Sequence, residues 1–230
     1  MPARDEATTV CELVRRTRRV LGAPVLVVSD ASTDATAAEA RRGGAQVLEL
    51  AVQLGAWGAT QAGLRYARRK GYSAVATLDA DGQHDPETLP ALAAALLEQD
   101  ADVVIGTFPP RLSRARKLAW TWFRSLTGLA IEDLTSGLRV YGPRAVRVLA
   151  SPEATLLDYQ DVGVLLLLRK HRLLVIERPA AMHARGVGRS RVFASWLLVA
   201  HYMLQTTILC VARIGRVRPA QPASLLRANP

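Results

Sequence analysis

Residues 74–87 read Ala-Val-Ala-Thr-Leu-Asp-Ala-Asp-Gly-Gln-His-Asp-Pro-Glu. The first five form a short apolar run of the kind that builds a buried parallel strand, so a strand is predicted over 74–78. Asp85-Pro86-Glu87 predicts a helix start, with a capping acid, a proline in the first turn and a second acid near the positive helix end. Between strand and helix stand Asp79 and Asp81, just past the carboxyl end of the strand. Open α/β sheets bind ligands at that edge. The bland role for an acidic loop here is to cap the next helix, but Asp85 already serves it. Asp79 and Asp81, one residue apart and followed by Gln83 and His84, offer hard oxygen ligands to a divalent cation. Magnesium or manganese held there can bridge the phosphates of a nucleoside diphosphate and neutralise its charge as it leaves.

Working outward, the first half of the chain alternates strands and helices. A helix over 7–21 carries Val10, Leu13, Val14, Thr17 and Leu21 on one face, and a buried strand follows over 25–29. A helix over 33–42 ends at Gly43-Gly44, where glycine accepts the left-handed conformation. A strand over 45–50, a helix over 58–70 stopped by Gly71, and a strand over 102–106 continue the pattern. The helix after Pro86 presents Leu89, Leu92, Ala93 and Leu96 at i, i+3, i+4 and i+7. This repetition predicts an α/β fold with a wound sheet flanked by helices. In the second half only 137–141 and 173–178 read as strands.

Two other stretches sit at strand ends. Residues 28–34 read Val-Ser-Asp-Ala-Ser-Thr-Asp, where Asp30 can accept hydrogen bonds from a nucleobase or ribose and Ser32 or Thr33 can cap the next helix. Residues 53–63 are glycine-rich, which lets backbone approach a ligand closely.

Taken in order, these stretches resemble the family 2 inverting glycosyltransferases of the GT-A fold. Within it they are most similar to the branch of dolichyl-phosphate mannose synthase and bacterial polyprenyl-phosphate sugar transferases. The resemblance runs from Pro2 to about Ser190 and implies a mixed sheet. Pro2-Ala3-Arg4-Asp5-Glu6 looks like the family's Pro-Ala-x-Asn-Glu opening, which implies nucleotide binding by Pro2, Ala3, Asp5 and Glu6. Asp30 matches the acid that contacts the base, Asp34 closes that motif, and Gly55, Gly58 and Gly63 match the loop and helix that follow. Asp79 and Asp81 match the Asp-x-Asp motif. Asp79 is thereby expected to support ribose and diphosphate, and Asp81 with Gln83 to hold Mg²⁺ or Mn²⁺. Thr135-Ser136-Gly137-Leu138-Arg139 is similar to the segment lining the acceptor side, which implicates Ser136 and Arg139. Arg185 to Ser190, with Arg189 between, looks like the basic loop that closes over the diphosphate. Ser29 and Gln53 depart from the pattern, and both still hydrogen-bond. The family's first strand precedes the Pro-Ala segment, whereas here Met1 directly precedes Pro2, so the resemblance implies a native chain that starts further upstream.

Half of the 230 residues are hydrophobic and 22% are charged, which excludes collagen, coiled coil and wholesale disorder. The net charge of +10 is polarised: residues 1–100 carry −2 and residues 101–230 carry +12, with no acid after Glu177. Such asymmetry points to an anionic partner at one end of the molecule. No recognition module accompanies it, so nucleic acid is not an expected partner. Cys11 and Cys210 fit no metal or disulfide spacing and read as buried thiols of a reducing compartment.

Inverting transfer to a hydroxyl needs a general base, and transfer to a lipid phosphate needs cations that gather an ionised nucleophile. Asp158 and Asp161 lie near where the wider family keeps its base. Asp161 is carried as the catalytic candidate, and ordering of the arginine loop by ion pairs is the alternative. Arg111, Arg114, Arg116, Lys117 and Arg124, interleaved with Trp120, Trp122 and Phe123, have the composition of an interfacial helix. The other reading of that stretch is a solvated basic helix. Residues 192–212 carry no charge and would make a helix of ~30 Å, long enough to span a bilayer, to lie on it, or to pack on a membrane subunit or a second copy.

The expected organisation is therefore a GT-A domain over 1–190, a C-terminal apolar helix over 191–218 and a disordered tail over 219–230. The expected activity is metal-dependent transfer of a sugar from a nucleoside-diphosphate sugar to a polyprenyl phosphate at the cytoplasmic face of the plasma membrane. A saccharide acceptor on the same fold, or a catalytically silent membrane-docking subunit, are the alternatives.

Overall fold

The computed structural model describes residues 1–108, 121, 131–133, 136–157 and 162–183. The expectations placed on Asp158, Asp161, Arg185, Arg189, Ser190, the basic aromatic stretch before 131, the apolar run 192–212 and the tail lie outside these residues.

The elements run β1 (Pro2–Ala3), α1 (Val10–Leu21), β2 (Leu26–Ser29), α2 (Thr36–Arg42), β3 (Gln46–Glu49), α3 (Gly55–Arg69) and β4 (Val75–Thr77). A 3-10 turn (Pro86–Thr88) leads into α4 (Leu89–Glu98), then β5 (Val103–Thr107), β6 (Arg139–Tyr141) and α5 (Pro143–Leu149). A second 3-10 turn (Pro152–Leu156), α6 (Val162–Lys170) and β7 (Val175–Pro179) complete the described chain. The strands form a parallel sheet in the order β1-β2-β3 and a mixed sheet in the order β4-β6-β5-β7. In the mixed sheet β6 runs antiparallel to both β4 and β5, while β5 and β7 are parallel. The parallel ladder reaches Met1, whose carbonyl accepts from the Val28 N–H at 2.8 Å.

Side-chain alternation divides β5 between two helix layers. Val103 and Ile105 pack with Trp57 and Leu64 of α3, Leu149 of α5 and Leu165 of α6. Val104 packs on the opposite side with Leu13 of α1, Leu89 and Leu92 of α4, and Val140 of β6. A third cluster joins Ala3, Val10, Val14, Val27 and Ala40 around the parallel sheet. Cys11 is a buried free thiol, as its type and spacing suggest.

Several boundaries differ from the sequence reading. Helix α1 starts at Val10, not at residue 7, because Thr9 turns back to bond Glu6 O at 3.2 Å and Ala80 O at 2.7 Å. Helix α3 starts at Gly55, not at residue 58, because Asp30, the residue after β2, receives the amides at its start. Ser32 and Thr33 do not cap α2. The amide of Thr36 is received by Asp34 at 2.9 Å. Gly44 takes the expected left-handed turn at φ +91°, and Gly43 remains right-handed. No helix among the described residues is long and apolar enough to cross a membrane.

Candidate active site

Parallel strands deliver their following loops to one edge of a sheet, and an antiparallel neighbour brings its preceding loop to the same edge. Strand β6 is that neighbour. Thr77 at the end of β4 is paired with Arg139 at the start of β6. The Thr77 hydroxyl donates to Gly137 O at 3.0 Å. The segments 79–81 and 136–138, separated by more than 50 residues in the chain, therefore stand side by side. A Cβ built on Gly137 would lie 2.6 Å from Asp79 Oδ2, so glycine is what leaves room for that carboxylate.

The loop after β4 is held at several points. The Asp79 side chain is 38% exposed and open to a ligand. Its backbone N–H donates to Nδ1 of His84 at 3.3 Å. Asp81 Oδ1 accepts the Gln83 N–H at 3.0 Å across a turn made by Gly82 at φ +74°. The next residues zip onto the segment that follows β7: His84 bridges Met182, and Gln83 O accepts the His183 N–H at 2.8 Å. Asp85 receives the Glu87 amide, as expected of a cap. Arg16 of α1 then clamps the helix start, with Nη2 at 2.7 Å from Asp85 Oδ1 and 2.5 Å from Glu87 Oε2. The hydrogen bond with Asp85 and that Arg16 clamp hold the Glu87 carboxyl down at about 2.

In the parallel sheet, Pro2 and Ala3 form β1 and the loops after β1 and β2 are latched together. Asp5, at φ +52°, accepts the Thr33 N–H at 2.8 Å and donates its own N–H to Ser32 Oγ at 3.2 Å. The Glu6 N–H donates to Thr36 Oγ1 at 2.8 Å, and the Ala7 N–H to Asp34 Oδ2 at 3.1 Å. Desolvation works to raise the Asp34 carboxyl, but hydrogen bonds from the Thr36 hydroxyl and amide and from the Ala7 amide hold it below the usual range.

Asp30 is 4% exposed, and its two oxygens accept the N–H groups of Leu54 (2.6 Å) and Gly55 (2.9 Å). Its observed partners are thus the first amides of α3, and any contact with a base would be made by the remaining lone pairs. Gly58 lies inside α3, where a Cβ would meet Leu54 Cβ at 2.5 Å.

In the segment leading into β6, Ser136 is buried and its hydroxyl donates to Gly106 O at 2.5 Å. Arg139 is 1% exposed, with Nε donating to Ser136 O at 2.8 Å. The first bond ties β5 to the segment that enters β6, and the second braces that segment on itself. Glu177 of β7 accepts the amides of Glu132 (2.9 Å) and Asp133 (2.9 Å), the residues leading into this segment. Burial and the neighbouring acids nevertheless push its carboxyl up.

Sequence reading missed Thr9, Thr77 and Glu177 as parts of this assembly, and it named His84 without a role of its own. His84 stood inside the motif and gave a signal there. The other three act across distant pairings that no local pattern records. Among the described residues no group of three His, Cys, Asp or Glu side chains could hold a metal alone. Asp81 offers one carboxylate at the open edge. That suits a cation that takes its other ligands from substrate phosphates and water, the usual arrangement for magnesium at phosphate sites.

The family model described as Glycosyl transferase family 2 matches residues 1–148. The chain is 32% identical over 189 residues to an undecaprenyl-phosphate mannosyltransferase of Micrococcus luteus, covering 73% of this chain and 75% of that protein. It is 35% identical over 133 residues to a polyprenol monophosphomannose synthase of Mycolicibacterium smegmatis, covering 51% of this chain and 50% of that protein. Among solved structures it resembles glucosyl-3-phosphoglycerate synthase of Mycobacterium tuberculosis in complex with Mn²⁺, uridine diphosphate and phosphoglyceric acid. The TM-score is 0.70 at 18% identity, covering 95% of this chain and 78% of that one, a likeness of fold.

Proposed function

This chain belongs to glycosyl transferase family 2 and is a glycosyltransferase, and from that premise we propose that it transfers one sugar from a nucleoside-diphosphate sugar to a polyprenyl phosphate. The observation that carries the donor half is the pairing of Thr77 with Arg139, which sets Asp79 and Asp81 beside the Ser136–Leu138 segment on one sheet edge. The acceptor half is supported by the curated relatives, whose names specify undecaprenyl-phosphate and polyprenol substrates.

In this reading the loops at Asp5, Glu6, Asp30 and Asp34 shape the nucleoside pocket, and Asp79 orients ribose and diphosphate. Asp81, with Gln83, would hold a divalent cation, Mg²⁺ or Mn²⁺, which when bound supplies positive charge at the leaving diphosphate. An acceptor phosphate oxygen forms the new bond to the anomeric carbon from the face opposite the nucleotide. The bond to the nucleoside diphosphate breaks with its electron pair, and the configuration inverts. The nucleophile is already ionised, so no base is required, and the side chains that matter are cations that gather phosphates. Arg185, Arg189 and Ser190 are assigned to the diphosphate, and Asp161 is assigned as base for the case of a hydroxyl acceptor. The basic second half supports placement at an anionic membrane surface, peripheral to the cytoplasmic face.

The test is incubation of the protein and Mn²⁺ with polyprenyl phosphate and a panel of labelled nucleotide sugars. Label entering the organic phase as a mild-acid-labile product supports the reading. Label passing only to water-soluble saccharides overturns the acceptor assignment. Absence of nucleotide-sugar binding in calorimetry overturns the donor assignment.

A further inference from the structure

We propose that His84 is a positioning residue for Asp79: its imidazole is a fixed hydrogen-bond acceptor that sets where the first acid of the pair stands. The proposal rests on the donor-site reading above. His84 is 2% exposed, a depth at which polar side chains are paired. Its Nδ1 receives the Asp79 backbone N–H at 3.3 Å and lies 3.9 Å from Asp79 Oδ2. A ring nitrogen that accepts an N–H carries no proton, so the neutral ring bears its proton on Nε2. That Nε2 is buried and has no hydrogen-bond partner among the described residues.

Half of the ring is therefore satisfied and half is orphaned. An apolar side chain of similar volume would carry no such penalty, since burying an unpaired donor is costly and replacing it with hydrocarbon is not. Packing alone does not account for a histidine here, whereas the bond to Asp79 does. The backbone that carries the ring is also tied down on both sides. The His84 backbone bridges Met182, with the His183 N–H donating to Gln83 O at 2.8 Å on one side and the Asp85 N–H to Ala181 O at 3.3 Å on the other. Asp79 is thus held at its main chain by His84, while Gly137 leaves its carboxylate room. A one-sided loss of this support lets the carboxylate swing, and small misplacements in a reacting site lower turnover more than substrate binding.

Two substitutions separate this role from filling space. In His84→Asn the amide oxygen can stand where Nδ1 stood, and in His84→Phe the volume is kept and the acceptor removed. His84→Asn should keep the Asp79 amide protected from hydrogen exchange and retain transfer within about threefold. His84→Phe should speed exchange of that amide by at least ~10-fold and lower kcat by about tenfold or more, with the acceptor KM little changed. In the wild-type protein, long-range ¹H–¹⁵N spectra should show an unprotonated Nδ1. A protonated Nδ1, or an Asp79 amide equally protected in His84→Phe, would overturn the proposal, as would equal impairment of both variants when both melt like wild type. Exchange and tautomer need no substrate, so they judge His84 even if the wild-type protein transfers nothing to polyprenyl phosphate.

Discussion

The carboxylate of Asp79 occupies the space that a side chain on Gly137 would fill: a Cβ there would lie 2.6 Å from Oδ2 and 2.8 Å from Oδ1. The donor acid and the segment assigned to the acceptor are thus in direct packing contact, a consequence of the antiparallel pairing of β4 with β6. Gly137→Ala forces one of them to move. Because the Asp79 side chain is partly exposed and can yield outward, the fold should survive with a melting temperature within a few degrees of wild type. Turnover should fall by about tenfold or more. Calorimetry and steady-state kinetics on the same preparation check both halves, and normal kcat in a folded variant would contradict the contact's importance.

Asp81 is only partly buried, and its Oδ1 accepts the Gln83 amide at 3.0 Å. Asp81→Ala should leave stability near wild type while lowering metal-dependent transfer by at least ~100-fold. Binding of nucleoside diphosphate should lose its dependence on Mn²⁺ in calorimetry. Retained activity would remove the metal role from this residue.

Asp30 should act mainly on stability. It is 4% exposed and receives two amides at the start of α3. Asp30→Ala leaves both donors without their partner and should cost about 1–3 kcal/mol in urea denaturation. Asp30→Asn keeps one acceptor oxygen and should lose less. If the alanine variant is as stable as wild type but no longer binds nucleotide, direct ligand contact outweighs the capping role.

Acid sensitivity has a defined sign. The Glu87 carboxyl is held at about 2 against an ordinary 4.5, so the unfolded chain binds more protons between these values. Its stabilising contribution is present above the unfolded value and is lost as pH falls towards 2. Asp34, also held low, acts in the same direction. Arg16→Ala should flatten the fall of the urea midpoint between about pH 5 and pH 2. The effect should be modest and reduced by salt, because the Glu87 side chain is half exposed. An unchanged slope would show that the clamp contributes nothing.

Much of the site was legible locally. Strand periodicity over 74–78 and the Asp85-Pro86-Glu87 start placed Asp79 and Asp81 at a strand end without coordinates, because a buried strand and a capped helix each leave a short-range signature. The apolar face of α1 was legible for the same reason, though its first turn was not, since Thr9 answers to Ala80, 71 residues away. Asp30 was legible as an acid at a strand end. Its two oxygens were not legible as the anchor of α3, because nothing in residues 28–34 reveals where Leu54 and Gly55 will stand.

The sequence by itself determined the order of elements, the acids at the strand ends and the polarised charge, all properties of neighbours along the chain. The tertiary structure alone decided that β6 enters antiparallel between β4 and β5. That pairing makes Gly137 the neighbour of Asp79 and builds Ser136 and Arg139 into the joint beneath it. Strand partners are chosen by the burial of whole faces and by backbone hydrogen bonds between distant segments, a choice that no single stretch of residues records.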